Sequence, residues 1–199
     1  MGKHYYTNNL EMESNPKQFE FKLRDNWLKF ITDHGVFSKK EIDYGSRVLI
    51  KSIVLEEKDT NILDMGCGYG PIGISLAKEF SLKTFHLVDV NLRAVGLAKQ
   101  NSILNDVSNV CAFYSDRYEN ISQQYDVIIS NPPVRAGKQI VLNIIEDAID
   151  YLNDDGSIWI VLQKKQGAPS IKNKMEALYG NCDVICRDKG YYVLKSNKT

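Results

Sequence analysis

The stretch Asp64-Met65-Gly66-Cys67-Gly68-Tyr69-Gly70 places three alternating glycines directly after an acidic residue. Residues 60–64, with the sequence Thr-Asn-Ile-Leu-Asp, are typical of a short buried strand. Pro71 then opens a helical pattern, since proline suits the first helical position, where its missing N–H needs no partner. The glycines therefore occupy a strand-to-helix turn, where glycine permits positive φ and a close approach of a ligand to the backbone. This unit predicts an α/β fold with a ligand site at the carboxyl end of the strand.

Two classes of ligand are compatible with this turn. Gly68, Gly70 and Gly73 also have the G-x-G-x-x-G spacing of dinucleotide-binding proteins. A pyrophosphate would lie over the N-terminus of the helix, and the carboxylate of Asp64 would repel it. A ligand with an ammonium group and no phosphate would be attracted, and S-adenosylmethionine is such a ligand. We therefore predict S-adenosylmethionine as the cofactor and keep an NAD-dependent oxidoreductase as an alternative.

Acidic residues also follow the next two predicted strands. Residues 83–89 read as a strand that ends at Asp89, 23 residues after Gly66, which is near the spacing of about 20 at which an acid reaches a ribose hydroxyl. We expect Asp64 and Asp89 to face one crevice at the carboxyl ends of neighbouring strands. Asp89 or Asn91 could instead cap the following helix. Asp116, which follows the predicted strand 110–114, could accept from an adenine amino group or lie in a surface loop.

The turn Asn131-Pro132-Pro133 follows the apolar run 125–130, which is typical of a strand buried on both faces. Prolines fix φ and donate no backbone hydrogen bond, so we expect the carbonyls of this turn to be free and rigidly aimed. An amino group on a base is a poor nucleophile because its lone pair is delocalised into the ring. The side-chain oxygen of Asn131 and the carbonyl of Pro132 would bind its two N–H bonds and turn the lone pair toward a methyl donor. A stiff strand end without a catalytic role is the alternative.

These observations define the candidate site. The predicted catalytic residues are Asn131, Pro132 and Pro133. The predicted cofactor-binding residues are Asp64, Gly66, Cys67, Gly68, Gly70, Asp89, Val90, Asn91, Asp116 and Asn131.

In this order, the motifs resemble those of the class I, Rossmann-like methyltransferases, whose Asn-Pro-Pro members act on nitrogens of bases or of a glutamine side chain. More narrowly, nearly the whole chain resembles the catalytic half of the small-subunit ribosomal RNA guanine-N2 methyltransferases of the RsmC type, as a single-domain form. The shared elements are His4-Tyr5-Tyr6, Gly35-Val36-Phe37-Ser38, Asp43-Tyr44-Gly45-Ser46 and residues 64–73, 89–95 and 131–133. The resemblance implies a seven-stranded, mostly parallel sheet with flanking helices and a closing antiparallel hairpin. It also implies methyl transfer from S-adenosylmethionine to the N2 amine of a guanine, with ribosomal RNA or the small ribosomal subunit as the partner.

The chain departs from the wider group at Val134, where that group usually has an aromatic residue that stacks on the target base. Arg135 follows and could lay its guanidinium plane on a base or bind a phosphate. Phe37 lies in one of the shared motifs and is the predicted aromatic residue of the base pocket. Adenine-N6 and protein glutamine-N5 methyl transfer stay open as alternatives, as does a non-catalytic module that binds the cofactor or RNA.

Strand and helix patterns alternate from residue 59 to about residue 179, which predicts a parallel sheet covered by helices. Residues 182–187 and 191–195 flank a turn and predict the closing hairpin. Cys182 and Cys186, four residues apart, should share one face of its first strand. Residues 19–23 alternate with a period of two. We predict a small β-rich N-terminal cap over residues 1–40 and a methyltransferase domain over residues 41–199.

The composition sets few further limits. The chain has 199 residues, 43% of them apolar, and a formal net charge of zero, which weighs against a long surface for binding a polyanion. Basic residues could still form a local rim, the candidates near the catalytic turn being Arg135, Lys138, Lys164 and Lys165. The four cysteines and three histidines show no zinc spacing, so no metal is expected. No apolar run is long enough for a membrane span, and the N-terminus is polar, so we expect a cytoplasmic protein.

Overall fold

The structure of the protein is a computed structural model that describes residues 13–36 and 41–199. Its strands are β1 Lys17–Leu23, β2 Asn26–Thr32, β3 Asn61–Met65, β4 Thr84–Asp89, β5 Val110–Tyr114, β6 Tyr125–Ser130, β7 Leu152–Gln163, β8 Asp183–Asp188 and β9 Tyr191–Asn197. Its α-helices are α1 Tyr44–Ser52, α2 Pro71–Glu79, α3 Leu92–Leu104, α4 Lys138–Tyr151 and α5 Ala168–Tyr179. Two short 3₁₀ helices lie at Val134–Ala136 and Lys164–Gln166.

The central sheet has the strand order β5-β4-β3-β6-β7-β9-β8. The five strands from β3 to β7 run parallel, whereas β9 is antiparallel to both β7 and β8. This arrangement confirms the predicted Rossmann-like α/β fold with its closing hairpin. The chain builds outward from β3 through β4 to β5 and then crosses back to place β6 on the other side of β3. Ligands bind at such a reversal, outside the carboxyl ends of the strands.

Each face of the sheet carries its own apolar core. Helices α1, α2 and α3 cover one face and form the first layer, and α4 and α5 cover the other face and form the second layer. Strand β6 supplies both cores, since Val127 and Ile129 belong to the first layer and Ile128 to the second. Its run of apolar residues is therefore explained by burial on both faces.

The small N-terminal sheet is the antiparallel hairpin of β1 and β2, which confirms the predicted β-rich cap. Two asparagine side chains, one in α3 and one at its C-cap, bind the backbone along the free edge of β2. The side chain of Asn101 accepts from Ile31 N at 2.7 Å and donates to Ile31 O at 2.9 Å, and Asn105 forms the same pair of bonds with Lys29 at 2.9 and 2.7 Å. The hairpin shares the first-layer core with the rest of the chain. A division between residues 40 and 41 stays a prediction.

The prediction for Cys182 and Cys186 is wrong. Cys182 packs in the second layer, whereas Cys186 packs against the first. The pairing of β8 with β9 shifts register between Val184 and Cys186. An extra residue at such an irregularity reverses the side to which the following side chains point.

Within residues 13–36 and 41–199, no helix is both long enough and apolar enough to cross a membrane.

Candidate active site

The glycine turn connects β3 to α2 as the sequence predicts. Gly66, Gly68 and Gly70 have φ values of 75°, 58° and 92°, a region that favours glycine. The N–H groups of Gly66 and Cys67 both donate to the carbonyl of Val88 at 2.9 Å, which ties the turn to the end of β4. A side chain at Gly68 would meet no heavy atom within 4 Å, so the left-handed backbone, and not crowding, makes glycine necessary there.

A cavity of about 570 Å³ opens at the carboxyl ends of β3, β4 and β6, a size typical of small-molecule sites. The candidate residues that line it are Gly66, Cys67, Gly68, Asp89, Val90, Asp116, Asn131, Pro132, Pro133 and Arg135. Asp64, Gly70 and Asn91 are not part of its wall. The fold thus brings together residues from four separate segments of the chain.

The carboxylate of Asp89 joins the end of β4 to the glycine turn. Its Oδ2 accepts from Gly68 N at 2.9 Å, and its Oδ1 accepts from Asn91 N at 2.8 Å. Burial raises the pKa of Asp89, and the hydrogen bonds from Asn91 and Gly68 oppose that shift. A carboxylate has about four acceptor positions, so Asp89 keeps acceptor capacity toward the cavity.

Asp64 lies beneath the glycine turn and does not face the cavity, so the prediction that it shares the crevice with Asp89 is wrong. Its Oδ2 accepts from Gly73 N at 2.8 Å, and its Oδ1 has no hydrogen-bond partner among the described residues. Burial raises the pKa of Asp64 to about 7, against the hydrogen bond from Gly73 and with the help of the nearby Asp89 charge. Asp64 is the next-to-last residue of β3 and lies in the core before the chain turns outward, and this buries the carboxyl group.

Asn91 takes the helix-capping position that the sequence left open. Its side-chain oxygen accepts from Arg93 N at 3.0 Å at the start of α3, and its Nδ2 donates to the carbonyl of Gly35 at 2.8 Å. Asp116 lies at the exposed edge of the cavity, where Arg117 Nε donates to its Oδ1 at 3.0 Å. A role for Asp116 toward an adenine amino group stays a prediction.

The side chain of Asn131 is held by the N-terminus of α1. Its Nδ2 donates to Asp43 Oδ2 at 3.1 Å and to Ser46 Oγ at 3.0 Å. Asp43 is the N-cap of α1 and accepts from Ser46 N at 3.1 Å and from the Ser46 hydroxyl at 2.6 Å. Sequence reasoning quoted Asp43 and Ser46 only as parts of a shared motif and assigned them no role.

The prediction that the carbonyls of the Asn-Pro-Pro turn are free is wrong. Pro133 has φ −76° and ψ 74°, an inverse γ-turn in which Val134 N donates to Pro132 O at 2.8 Å. The carbonyl of Pro133 accepts from Ala136 N at 2.8 Å. The prolines have no N–H group to donate, but the N–H groups of Val134 and Ala136 need acceptors and take these two carbonyls. Each carbonyl keeps a second lone pair, and Pro132 lines the cavity.

An aromatic side chain that sequence reasoning missed lines the cavity beside the N-terminus of α1. Tyr191, the first residue of β9, lines the cavity and packs over Gly45. A Cβ at Gly45 would lie 2.7 Å from Tyr191 Cε1 and 3.2 Å from Asp43 Oδ2, so glycine permits both contacts. Val134 packs half-buried against the second layer. Phe37, the predicted aromatic residue, lies outside the described residues.

The rim of the cavity is basic in part. Arg135 is exposed there, and Lys165 and Arg117 also border the cavity. Lys138 and Lys164 are not part of its wall. The predicted basic rim therefore consists of Arg135 and Lys165 from the predicted set, together with Arg117.

A parallel sheet with a glycine turn after β3, an acid at the end of β4 and an Asn-Pro-Pro turn after β6 defines a Rossmann-like methyltransferase. The sequence matches the methyltransferase small domain family over residues 27–195, and the chain belongs to this family. The predicted class of an S-adenosylmethionine-dependent methyltransferase is thereby confirmed, and the alternative between NAD and S-adenosylmethionine is resolved in favour of the latter.

The chain is similar to proteins from several bacteria. The chain is 46% identical to the uncharacterised protein YbxB of Bacillus subtilis over the full length of both proteins. It is 31% identical to ribosomal RNA small subunit methyltransferase C of Colwellia psychrerythraea, over 90% of this chain and 50% of that relative. The solved structure of the 16S rRNA N2 methyltransferase RsmC of T. thermophilus, in complex with AdoMet and guanosine, superimposes with a TM-score of 0.80 at 22% identity, over 92% of this chain and 51% of that one. The chain thus spans about half the length of the ribosomal RNA methyltransferases that it matches.

Proposed function

We propose that the protein transfers the methyl group of S-adenosylmethionine to the exocyclic N2 amine of a guanine in small-subunit ribosomal RNA. The observation that carries this proposal is the anchored side chain of Asn131 in the cavity wall, with its amide nitrogen bound to Asp43 and Ser46. Its oxygen is left to accept from an amine. The likeness to ribosomal RNA small subunit methyltransferase C, over 90% of this chain, supports RNA as the substrate.

The residues on the glycine-turn side fit S-adenosylmethionine. The carboxylate of Asp89 lies in the wall with acceptor capacity for ribose hydroxyls. Gly66 and Gly68 leave open space above the backbone. When bound, S-adenosylmethionine supplies an electrophilic methyl group.

The residues on the other side act on the amine. Asn131 Oδ1 accepts one N–H, and the second lone pair of the Pro132 carbonyl accepts the other. These bonds favour a pyramidal nitrogen whose lone pair points at the methyl carbon. As the N–C bond forms, positive charge develops on the nitrogen and strengthens both hydrogen bonds, which is the condition for catalysis by preorganised dipoles. The alkylated nitrogen is acidic and releases its proton to water, so no side-chain base is required before attack.

Tyr191 and Arg135 are the residues that we assign to the base. A target base must leave its helix to reach the methyl group, at a cost of a few kcal/mol. Val134 offers no stacking face, whereas Tyr191 lines the cavity and its ring packs over Gly45. Arg135 at the exposed rim is placed to bind a phosphate or stack on a neighbouring base. A role for Phe37 stays a prediction.

The test is to incubate the protein with methyl-labelled S-adenosylmethionine and small ribosomal subunits from cells that lack it, then digest the RNA and identify the labelled nucleoside. Naked small-subunit RNA and duplex DNA are parallel substrates. We expect label in N2-methylguanosine from the ribosomal substrates. Label in N6-methyladenine, or in glutamine of a ribosomal protein, would overturn the guanine assignment and support the corresponding alternative.

A further inference from the structure

We infer that Asp43 and Ser46 are positioning residues for methyl transfer, because together they take both N–H protons of the Asn131 amide and make Asn131 a pure acceptor toward the substrate. The inference rests on the proposed function in one respect, namely that the group methylated is an amine that donates hydrogen bonds. It concerns the N-cap residue of α1 and a residue of its first turn, which lie 88 and 85 positions from Asn131 along the chain.

The direction of each hydrogen bond follows from counting protons. A carboxylate only accepts, so the short 2.6 Å contact between Ser46 Oγ and Asp43 Oδ1 must use the hydroxyl proton of Ser46. Toward Asn131, the same hydroxyl oxygen can then only accept. The two protons of Asn131 Nδ2 therefore go to Asp43 Oδ2 and to Ser46 Oγ.

This count also fixes which way the amide of Asn131 points. A flipped amide would place its oxygen 3.1 Å from the carboxylate of Asp43, an acceptor against an acceptor. The observed orientation leaves Oδ1 with no hydrogen-bond donor among the described residues, in the wall of the cavity. An unanchored asparagine could rotate and present its NH₂ group, which would repel an amine. The α1 pair removes that option.

The pair is itself rigidly held. Ser46 is buried, with 4% of its surface exposed, and its backbone N–H donates to Asp43 Oδ2 as part of the helix cap. A catalytic group held in this way has little freedom to leave its productive geometry, and a misplacement of about 1 Å can cost about a hundredfold in rate. Selection also follows, because an acceptor-only site favours the N2 amine of guanine over its carbonyl oxygen at C6.

A purely structural role is the competing explanation, since Asp43 also caps α1. The two roles separate by substitution. Asp43→Ser keeps a good N-cap residue but is too short to reach Asn131 and lacks the second carboxylate oxygen. Asp43→Ala loses the helix cap as well as the contact with Asn131. Ser46→Ala removes only the hydroxyl group, because the backbone N–H of residue 46 can still donate to the capping carboxylate of Asp43.

The decisive experiment is a double-mutant cycle between Ser46→Ala and Asn131→Ala, measured as single-turnover methyl transfer to the RNA substrate with enzyme in excess. Thermal unfolding and calorimetry with S-adenosylmethionine accompany each variant. We expect Ser46→Ala and Asp43→Ser to lower the rate about 10- to 100-fold while cofactor affinity stays within about twofold. In the Asn131→Ala background, Ser46→Ala should have no further effect beyond about twofold, because its target is already gone.

A second readout does not depend on turnover. In ¹⁵N NMR spectra, both side-chain protons of Asn131 should exchange slowly with solvent in the parent, and Ser46→Ala should release one of them. Additive effects in the cycle, normal turnover by a folded Ser46→Ala variant, or rapid exchange of both protons in the parent would overturn the positioning role. Failure of the proposed function is distinguishable, because the parent itself would then transfer no methyl group to a guanine amine.

Discussion

The role of Asp89 leads to a prediction whose size can be worked from the structure. Asp89→Ala removes the proposed acceptor for the ribose hydroxyls and, with it, the acceptors for Gly68 N at 2.9 Å and Asn91 N at 2.8 Å. Gly68 lines the open cavity, so water can replace the carboxylate as the acceptor for its N–H, whereas Asn91 is buried. The ribose hydroxyls of a bound cofactor would have no such substitute acceptor, because the cofactor itself displaces water from the site.

The expected loss is that of one hydrogen-bonding interaction with a charged group, about 1.5–3 kcal/mol. This corresponds to an increase of about 10- to 150-fold in the Kd for S-adenosylmethionine. Asp89→Asn keeps one oxygen but no charge, and one of the two backbone N–H groups then competes with the ribose for it. Its affinity should lie between those of the parent and of Asp89→Ala.

Isothermal titration calorimetry measures the three affinities, and thermal unfolding checks that each variant is folded. The matched control is Glu176→Ala, which removes a carboxylate on α5 that pairs with Lys172, away from the cavity. Its affinity should equal that of the parent. Unchanged affinity in a folded Asp89→Ala variant would remove Asp89 from the cofactor site, and tight binding of NADH by the parent would refute the assignment of the cofactor.

Four further results are expected. Asn131→Ala should lower kcat by about 10²–10³, because its hydrogen bond strengthens in the transition state, while calorimetry shows nearly unchanged cofactor affinity. Arg135→Ala should weaken RNA binding and flatten its salt dependence without changing cofactor affinity, as filter binding at several salt concentrations would show. Tyr191→Leu should raise the KM for RNA more than Tyr191→Phe does, since only leucine removes the ring face. Burial raises the pKa of Asp64 to about 7, so the folded protein holds this proton more tightly than the unfolded chain, and stability present at low pH is lost as the pH rises toward 7. Asp64→Asn should flatten that fall in urea unfolding between pH 5 and pH 8; an unchanged slope would contradict it.

The elements of the fold that could be predicted from the sequence are those that local patterns determine. Strand β6 was bounded correctly at Tyr125–Ser130 because burial on both faces leaves an uninterrupted apolar run. The start of α2 at Pro71 was also correct, because proline suits the first position of a helix and the preceding glycines suit a tight turn. The predicted hairpin turn at Lys189 and Gly190 was also correct, and both residues have the positive φ that tight hairpin turns use.

The wrong predictions concern features that depend on backbone geometry or tertiary contacts, which the local sequence pattern does not determine. The irregular pairing at Val184 and Cys186 shifts the side chains that follow, and no turn residue marks it in the sequence. The carbonyl of Pro132 is engaged because the N–H of Val134 has it as the nearest acceptor once the turn is formed.

The candidate site divides in the same way. Gly66, Gly68, Asp89 and Asn131 could be identified because each stands at the end of a strand, where the topology gathers ligand-binding groups. The contacts of Asp43 with Asn131 could not, because only the packing of α1 beside the end of β6 brings together residues 88 positions apart. An aspartate before a helix is explained by capping alone, so the sequence gives no sign that Asp43 also binds Asn131.

We propose that this chain methylates a guanine amine of small-subunit ribosomal RNA through the Asn131 turn. The most direct measurement is mass spectrometry of nucleosides from small-subunit RNA of cells from which the gene has been deleted, and of the same cells complemented with the parent or with Asn131→Ala. The account predicts that one N2-methylguanosine disappears on deletion, returns with the parent and does not return with Asn131→Ala. An unchanged content of N2-methylguanosine after deletion, or full restoration by Asn131→Ala, would contradict it.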